Sequence, residues 1–189
     1  MGVSIQPSYE IAQMPVALYT FGIFRKPAED PANDGFHALN DPVLDQVDKA
    51  VGMIARSGYA SDCDATSWGR EVYPRFYTER GDGWSPATLS LWQDIESILA
   101  FTYSGFHATA LRRGREWFQP PDWPPLVMWW HLDAGYPTWA EGVRRHEHLH
   151  DFGPSPTAFN FKRAFDQTGT PVSIDHARLR QLRANGHIG

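Results

Sequence analysis

His146, Glu147 and His150 have the HExxH spacing of a zinc-hydrolase helix. On a helix the two histidines lie on one face and can bind zinc, and the glutamate can act as a general base. Gly153 follows at the metzincin distance, but Pro156 stands where a third ligand is required. Since arginines and an aspartate flank the motif, we interpret it as a solvent-exposed helix end. His146 and His150 are therefore weak metal candidates, and no metal is predicted.

A second set of candidate groups lies in the middle of the chain. His107 belongs to a long helical pattern, with Tyr103 one turn before it and Arg112 beyond it. A helical histidine that faces a cavity can move protons near pH 7. His131 follows two tryptophans on a predicted strand and is a second candidate. We predict that His107, His131, Tyr103 and Arg112 are catalytic; purely structural roles for both histidines are the alternative.

Aromatic residues make up 14% of the chain, and 8 of them are tryptophan. An aromatic-walled cavity suits a flat, polycyclic or haem-like ligand, whereas ordinary core and dimer packing is the alternative. The predicted substrate-binding residues are Tyr19, Phe21, Trp68, Trp92, Trp117, Trp129 and Trp130. The ligand that they predict is a small hydrophobic molecule.

Composition excludes several classes of function. The chain has 189 residues, enough for one domain, and its net charge of −5 argues against nucleic-acid binding. Cys63 is the single cysteine and lies between two aspartates, so neither a disulfide nor a nucleophilic thiolate is predicted. The longest apolar run, 126–130, is far too short to span a bilayer, and the N-terminus lacks a signal-peptide pattern. We expect a cytoplasmic protein with no membrane partner.

Hydrophobic periodicity predicts the elements that position these residues. Strands are predicted at 16–25, 67–78, 87–92, 125–132 and 158–165, and helices at 36–56, 93–118 and 138–151. Gly105 is expected to divide the second helix. Thr138 and Glu141 form a capping box at the start of the third helix.

The order of these elements predicts the fold class. The first six read β-α-β-β-α-β, which is the ferredoxin-like order of an α+β fold, with an antiparallel sheet and helices on one face. The other face then needs a cover, which a homodimer would supply. We predict a lead-in at 1–15, a single domain at 16–165 and a polar tail or short helix at 166–189.

Several segments also resemble a known bacterial family. They are TFGIFR at 20–25, AFTYSGFH at 100–107, LRRGREWF at 111–118, LVMWW at 126–130, GYPT at 135–138 and GPSP at 153–156. The chain resembles the domain of unknown function 3291 family over residues 16–165. That family is similar to the dimeric α/β-barrel superfamily, which includes cofactor-free monooxygenases of antibiotic biosynthesis, muconolactone-type isomerases and haem-degrading enzymes.

The resemblance implies a ferredoxin-like dimeric α/β barrel and, less directly, an activity. The expected activity is cofactor-independent monooxygenation of an aromatic or polyketide-like metabolite, with His107 or His131 moving a proton. Isomerisation or cyclisation in the same pocket is the first alternative. The second is a non-catalytic protein that binds haem or a hydrophobic metabolite, with His107 or His131 as axial ligand. No cofactor is predicted for the enzyme.

Overall fold

A computed structural model describes residues 14–59 and 66–185 of the chain; Cys63 lies outside them. The main sheet consists of β1 (Val16–Phe21), β2 (Met53–Arg56), β3 (Ala87–Trp92) and β4 (Leu126–Trp130). Its strand order is β2-β3-β1-β4, and every neighbouring pair is antiparallel. Together with the chain order β-α-β-β-α-β, this arrangement confirms the predicted ferredoxin-like α+β class.

Helices cover both faces of this sheet. They are α1 (Asp34–Asp48), α2 (Ile95–Thr102), α3 (Gly105–Trp117) and α4 (Trp139–Phe152). Helices α1 and α2 share one core with Val16 and Leu18 of β1, and α3 packs against α1. Helix α4 packs on the opposite face, with Tyr19. The prediction of helices on one face therefore holds for α1–α3 and is wrong for α4.

The second strand is where the predicted boundaries fail. Helix α1 ends at Asp48, and the chain turns at Gly52 into β2, although the helical pattern continues to residue 56. Gly52 has φ +84°, and a Cβ there would lie 2.2 Å from Ser97 Oγ, so glycine is required. The predicted strand at 67–78 is wrong. That stretch belongs to a segment without helix or strand, residues 66–86, which we call the strap.

The strap and α4 together cover the α4 face of the sheet. Trp68 is buried there, and Tyr73, Phe76 and Tyr77 of the strap pack against the same core. The hydrophobic pattern that predicted a strand at 67–78 thus comes from aromatic side chains that pack on the core from an irregular segment. The homodimer was predicted because this face needed a cover. The chain covers this face with its own strap and α4, so an uncovered face is no longer a reason to expect a homodimer. The homodimer stays a prediction.

The C-terminal part adds a small hairpin and a helix. The hairpin pairs β5 (Ala164–Phe165) with β6 (Pro171–Val172), and α5 spans His176–Asn185. Most of the predicted strand at 158–165 consists instead of turns and isolated bridges, such as Met128 with Phe159. Helix α5 packs against α2. No helix in the described ranges is both long and apolar enough to cross a membrane.

Candidate functional site

Strand β1 and helix α4 bring Tyr19 and His146 together in the α4-side core. Both residues are fully buried, and their ring centroids lie 5.6 Å apart with planes at 68°. The close approach depends on Gly142, because a Cβ there would lie only 2.9 Å from Cδ2 of Tyr19. The buried side of α4 is Trp139, Gly142, His146 and Leu149, spaced three or four residues apart. The sheet and helix thus hold two titratable groups in the buried layer between β1 and α4.

The hydrogen bond of His146 determines which ring nitrogen is free. Nε2 is within hydrogen-bonding distance of the Pro124 carbonyl oxygen, which can only accept. The Nε2–H of His146 is therefore the donor, and in the neutral ring Nδ1 keeps its lone pair. Nδ1 is buried and has no partner among the described residues. Burial lowers the pKa of His146 below the ordinary 6.5, so the imidazole is a neutral base at pH 7.

Tyr19 has the opposite perturbation. Burial raises its pKa well above 10.0, and the nearby Tyr73, Glu71 and Glu147 raise the pKa further because they oppose a phenolate charge. The hydroxyl is buried without a hydrogen-bond partner in the described part of the chain. Tyr19 is therefore a protonated donor at pH 7. At pH 7 the core thus holds a neutral base beside a protonated donor, and burial is the largest cause of both pKa shifts.

Aromatic side chains of the strap close this layer. Phe76 stacks on Trp123 at 5.5 Å with the rings 6° from parallel. The Phe76 ring also lies 5.7 Å from His146 and 4.7 Å from His150. It therefore packs against both imidazoles of the HExxH motif. The predicted exposed position of His146 is wrong, since α4 turns this residue into the core.

Glu147, the acidic residue of that motif, binds the strap. Glu147 accepts a hydrogen bond from the Arg75 backbone N–H at 2.7 Å, and the Arg75 guanidinium pairs with Glu147 and Asp151. Glu147 is thus a tether between α4 and the strap and is not poised as a general base. Within the described residues, no group of three or more histidine, cysteine or acidic side chains could hold a metal ion. The zinc interpretation finds no support in this geometry.

The predicted substrate-binding residues divide between the two faces. Tyr19, Phe21, Trp68 and Trp129 meet in the α4-side core. Trp92 and Trp130 lie on the opposite face, and Trp117 packs against α1 beside Phe36. The structure therefore places four of the seven, Tyr19 among them, in the core on the side of His146.

Three of the four predicted catalytic residues lie near the α2–α3 junction, away from that layer. His107 Nδ1 is 2.8 Å from the Thr102 carbonyl oxygen, and its ring packs on Phe101. Burial lowers the pKa of His107 below 6.5. Tyr103 and Arg112 are exposed and line a surface depression. His107 therefore contacts the end of α2, while Tyr103 and Arg112 face outward.

His131, the fourth predicted catalytic residue, follows directly after β4. It is buried, and its Nε2 lies 3.1 Å from the Gly135 carbonyl oxygen. That contact leaves Nδ1 buried and without a partner among the described residues. The alternation of β4 puts His131 on the side of Trp129. His131 thus lies on the same face of the sheet as Tyr19, but the histidine that contacts Tyr19 is His146, which is not among the predicted catalytic residues.

Comparisons with known proteins identify a family and assign no activity. The sequence profile described as Domain of unknown function (DUF3291) matches residues 15–176. A crystal structure of a protein of unknown function from Nitrosomonas europaea is 12% identical, with a TM-score of 0.43; the match covers 67% of this chain and 98% of that one. No curated protein matches the chain.

Proposed function

The chain belongs to the domain of unknown function 3291 family, and we propose that it is an acid/base enzyme for a small hydrophobic aromatic molecule. One observation carries the proposal: the Tyr19 hydroxyl and His146 Nδ1 are buried in one aromatic core, and neither has a hydrogen-bond partner among the residues that the structure describes. Unpartnered polar groups in a core are costly, so a pair of them requires an explanation. A substrate that accepts from one group and gives a proton to the other supplies that explanation.

In the proposed reaction His146 removes a proton from an acidic C–H bond next to an aromatic ring or carbonyl. Tyr19 donates a hydrogen bond to the oxygen on which negative charge develops. The surrounding side chains, including Phe21 and Trp129, keep water away from the carbanion and orient the ring. None of these steps requires a cofactor.

The product then depends on whether the carbanion reacts with molecular oxygen. In the oxygenation, the carbanion adds O₂ to give a peroxide, which takes the proton from His146. Loss of the second C–H proton together with hydroxide breaks the O–O bond. One CH₂ group and one O₂ thus become a carbonyl group and water. Without O₂, His146 returns the proton to another atom and the result is isomerisation or cyclisation.

Access to the two groups requires the strap to move in this mechanism. The strap has no helix or strand. On its outer surface, the Arg75 guanidinium forms ion pairs with Glu147 and Asp151 of α4. Exposed ion pairs of this kind contribute little free energy. We infer that the strap opens to admit the substrate and then excludes water during the reaction.

The test is a substrate panel of polycyclic phenols and aryl ketones with acidic C–H bonds, followed with an oxygen electrode and by product mass. We expect turnover that falls at least about 100-fold in His146→Gln and in Tyr19→Phe, the size of a lost acid or base. Glutamine at 146 can keep the donor to Pro124 while removing the base. His148→Gln on the same helix is the matched control and should retain activity.

The same panel separates the alternatives. Product formation without oxygen uptake indicates an isomerase or cyclase. An absorption spectrum of the purified protein with a Soret band indicates a haem-binding protein, with His107 or His131 as axial ligand. Turnover that survives in His146→Gln but disappears in His107→Gln would assign the chemistry to the α2–α3 junction and contradict the proposal.

A further inference from the structure

The outer surface of α3 forms one side of a depression far from the buried pair. Its volume is about 550 Å³, and its lining is Tyr103, Ala108, Leu111, Arg112 and Arg115. The four helical members follow the i, i+3, i+4, i+7 pattern and so share one face of α3. Tyr103 and Leu111 are about half exposed, at 55% and 49%. The depression therefore combines an apolar wall with two guanidinium groups and no carboxylate.

Neither arginine of this depression has an acidic partner within residues 14–59 and 66–185. Arg112 donates a hydrogen bond only to the Thr109 hydroxyl, at 2.9 Å, and Arg115 has no ion pair in the described part of the chain. Arg113, which follows Arg112 directly, is the contrast. It pairs with Glu116 at 2.8 Å and packs over the Trp117 ring. Arg112 and Arg115 thus present their guanidinium groups beside the exposed apolar side chains of the depression, in a chain with a net charge of −5.

We propose that this depression binds small amphipathic carboxylates, with the apolar body on Tyr103 and Leu111 and the carboxylate on Arg112 and Arg115. A guanidinium presents donors in a planar fork that matches the two oxygens of a carboxylate. Two such groups one helical turn apart can hold one anion, and the phenol ring of Tyr103 offers a flat surface for an aromatic body. The site is separate from the buried pair and does not depend on the proposed reaction.

The test uses 2-naphthoate and its neutral counterpart 2-naphthalenemethanol, titrated into the full chain by calorimetry. We expect 2-naphthoate to bind at least about tenfold more tightly than the alcohol. The double variant Arg112→Gln/Arg115→Gln should lose about tenfold in affinity for 2-naphthoate, the size expected for two partly exposed charged contacts. Arg113→Gln is the matched control and should bind as the unchanged protein does.

Three results would overturn the proposal. They are equal affinity for the acid and the alcohol, equal losses in Arg113→Gln and the double variant, and an absence of saturable binding. A loss of 2-naphthoate affinity in His146→Gln with none in the double variant would place the binding in the buried layer instead. The three substituted arginines are exposed and His146 is buried. Circular dichroism checks that each variant is folded.

Discussion

The two faces of the sheet treat their buried polar groups differently. On the α1–α2 face, Trp92 Nε1 donates to Ser90 Oγ at 2.9 Å and Trp130 Nε1 donates to the Phe165 carbonyl oxygen at 2.7 Å. On the α4 face, the Tyr19 hydroxyl and Trp129 Nε1 are buried with no partner among the described residues. Both tryptophan donors of the α1–α2 face are therefore satisfied, whereas the α4 face combines satisfied donors, such as the Tyr59 hydroxyl, with unsatisfied ones.

This difference supports the site that we propose on the α4 face. Folded proteins pair nearly all buried polar groups, and exceptions concentrate at sites that need them for another purpose. The α2 side has an unpartnered Ser97 Oγ, but a serine hydroxyl does not titrate near neutral pH. The α4 face instead leaves a histidine nitrogen and a phenol unpartnered, at His146 and Tyr19. The α1–α2 face resembles ordinary core, whereas the α4 face resembles a core built around a reactive pair.

The largest expected effect concerns the approach of α4 to β1. A Gly142→Ala change places a Cβ 2.9 Å from Cδ2 and 3.0 Å from Cγ of the buried Tyr19 ring. Alanine favours a helix by about 1 kcal/mol over glycine, but overpacking a rigid core costs about 1–3 kcal/mol and here also displaces the ring. We expect a net loss of up to about 2 kcal/mol in the free energy of unfolding, measured by urea denaturation.

Gly114→Ala is the matched control on the other side of the molecule. Gly114 is also helical, but its nearest neighbour beyond the helix is Phe118 Cδ2 at 3.6 Å, an ordinary contact. Alanine should therefore stabilise the protein by about 0.5–1 kcal/mol. Equal gains at both glycines would mean that α4 has room to move, and the close layer around Tyr19 and His146 would lose its basis.

The second prediction tests whether the Tyr19 hydroxyl is unsatisfied. Tyr19→Phe removes a buried polar atom without changing the shape of the ring, so we expect a gain of about 1 kcal/mol in the free energy of unfolding. Tyr59→Phe, also on the α4 side, removes a hydroxyl that donates to the Ala87 carbonyl oxygen at 2.6 Å. That change should destabilise the protein by about 1 kcal/mol. A loss at Tyr19 as large as that at Tyr59 would show that the Tyr19 hydroxyl is hydrogen-bonded.

Local patterns in the sequence predicted much of this architecture. The predicted strand at 16–25 contains β1, where side-chain alternation places Tyr19 and Phe21 on one face and Leu18 on the other. The break of the long helix at Gly105 is confirmed, as is the cap in which Thr138 accepts from the Glu141 N–H at 3.2 Å. These features depend on neighbouring residues, so spacing and residue type suffice to predict them.

The wrong predictions for β2, His146 and the strap have one cause, since tertiary contacts determine the structure at each of these places. The four residues of β2 continue the helical period of α1, and only contacts with β3 and Ser97 make them a strand. His146 was expected to be exposed because charged residues flank it, but the helix stripe 139, 142, 146 and 149 points at the sheet. That stripe was visible in the sequence as Trp, Gly, His and Leu at helical spacing. The packing of the strap, by contrast, depends on distant elements and left no local signal.

The smallest effect we predict separates the two buried histidines by pH. Burial lowers the folded-state pKa of both His146 and His107 below 6.5. Between 6.5 and the lower folded-state values, the unfolded chain binds protons that the folded chain does not. Stability therefore falls as the pH decreases through this window, and the contribution is fully present above pH 6.5. Urea denaturation at a series of pH values from 7.5 downward measures this slope.

Each histidine should contribute its own part of that slope. His146→Gln and His107→Gln should each make the decline shallower, and the double variant should combine the two changes, because the residues lie on opposite sides of the sheet with no shared partner. If His146→Gln keeps the original slope while His107→Gln flattens it, the imidazole at 146 is charged in the folded protein or reaches water. It would then not be the neutral buried base that distinguishes the α4 face from the α1–α2 face.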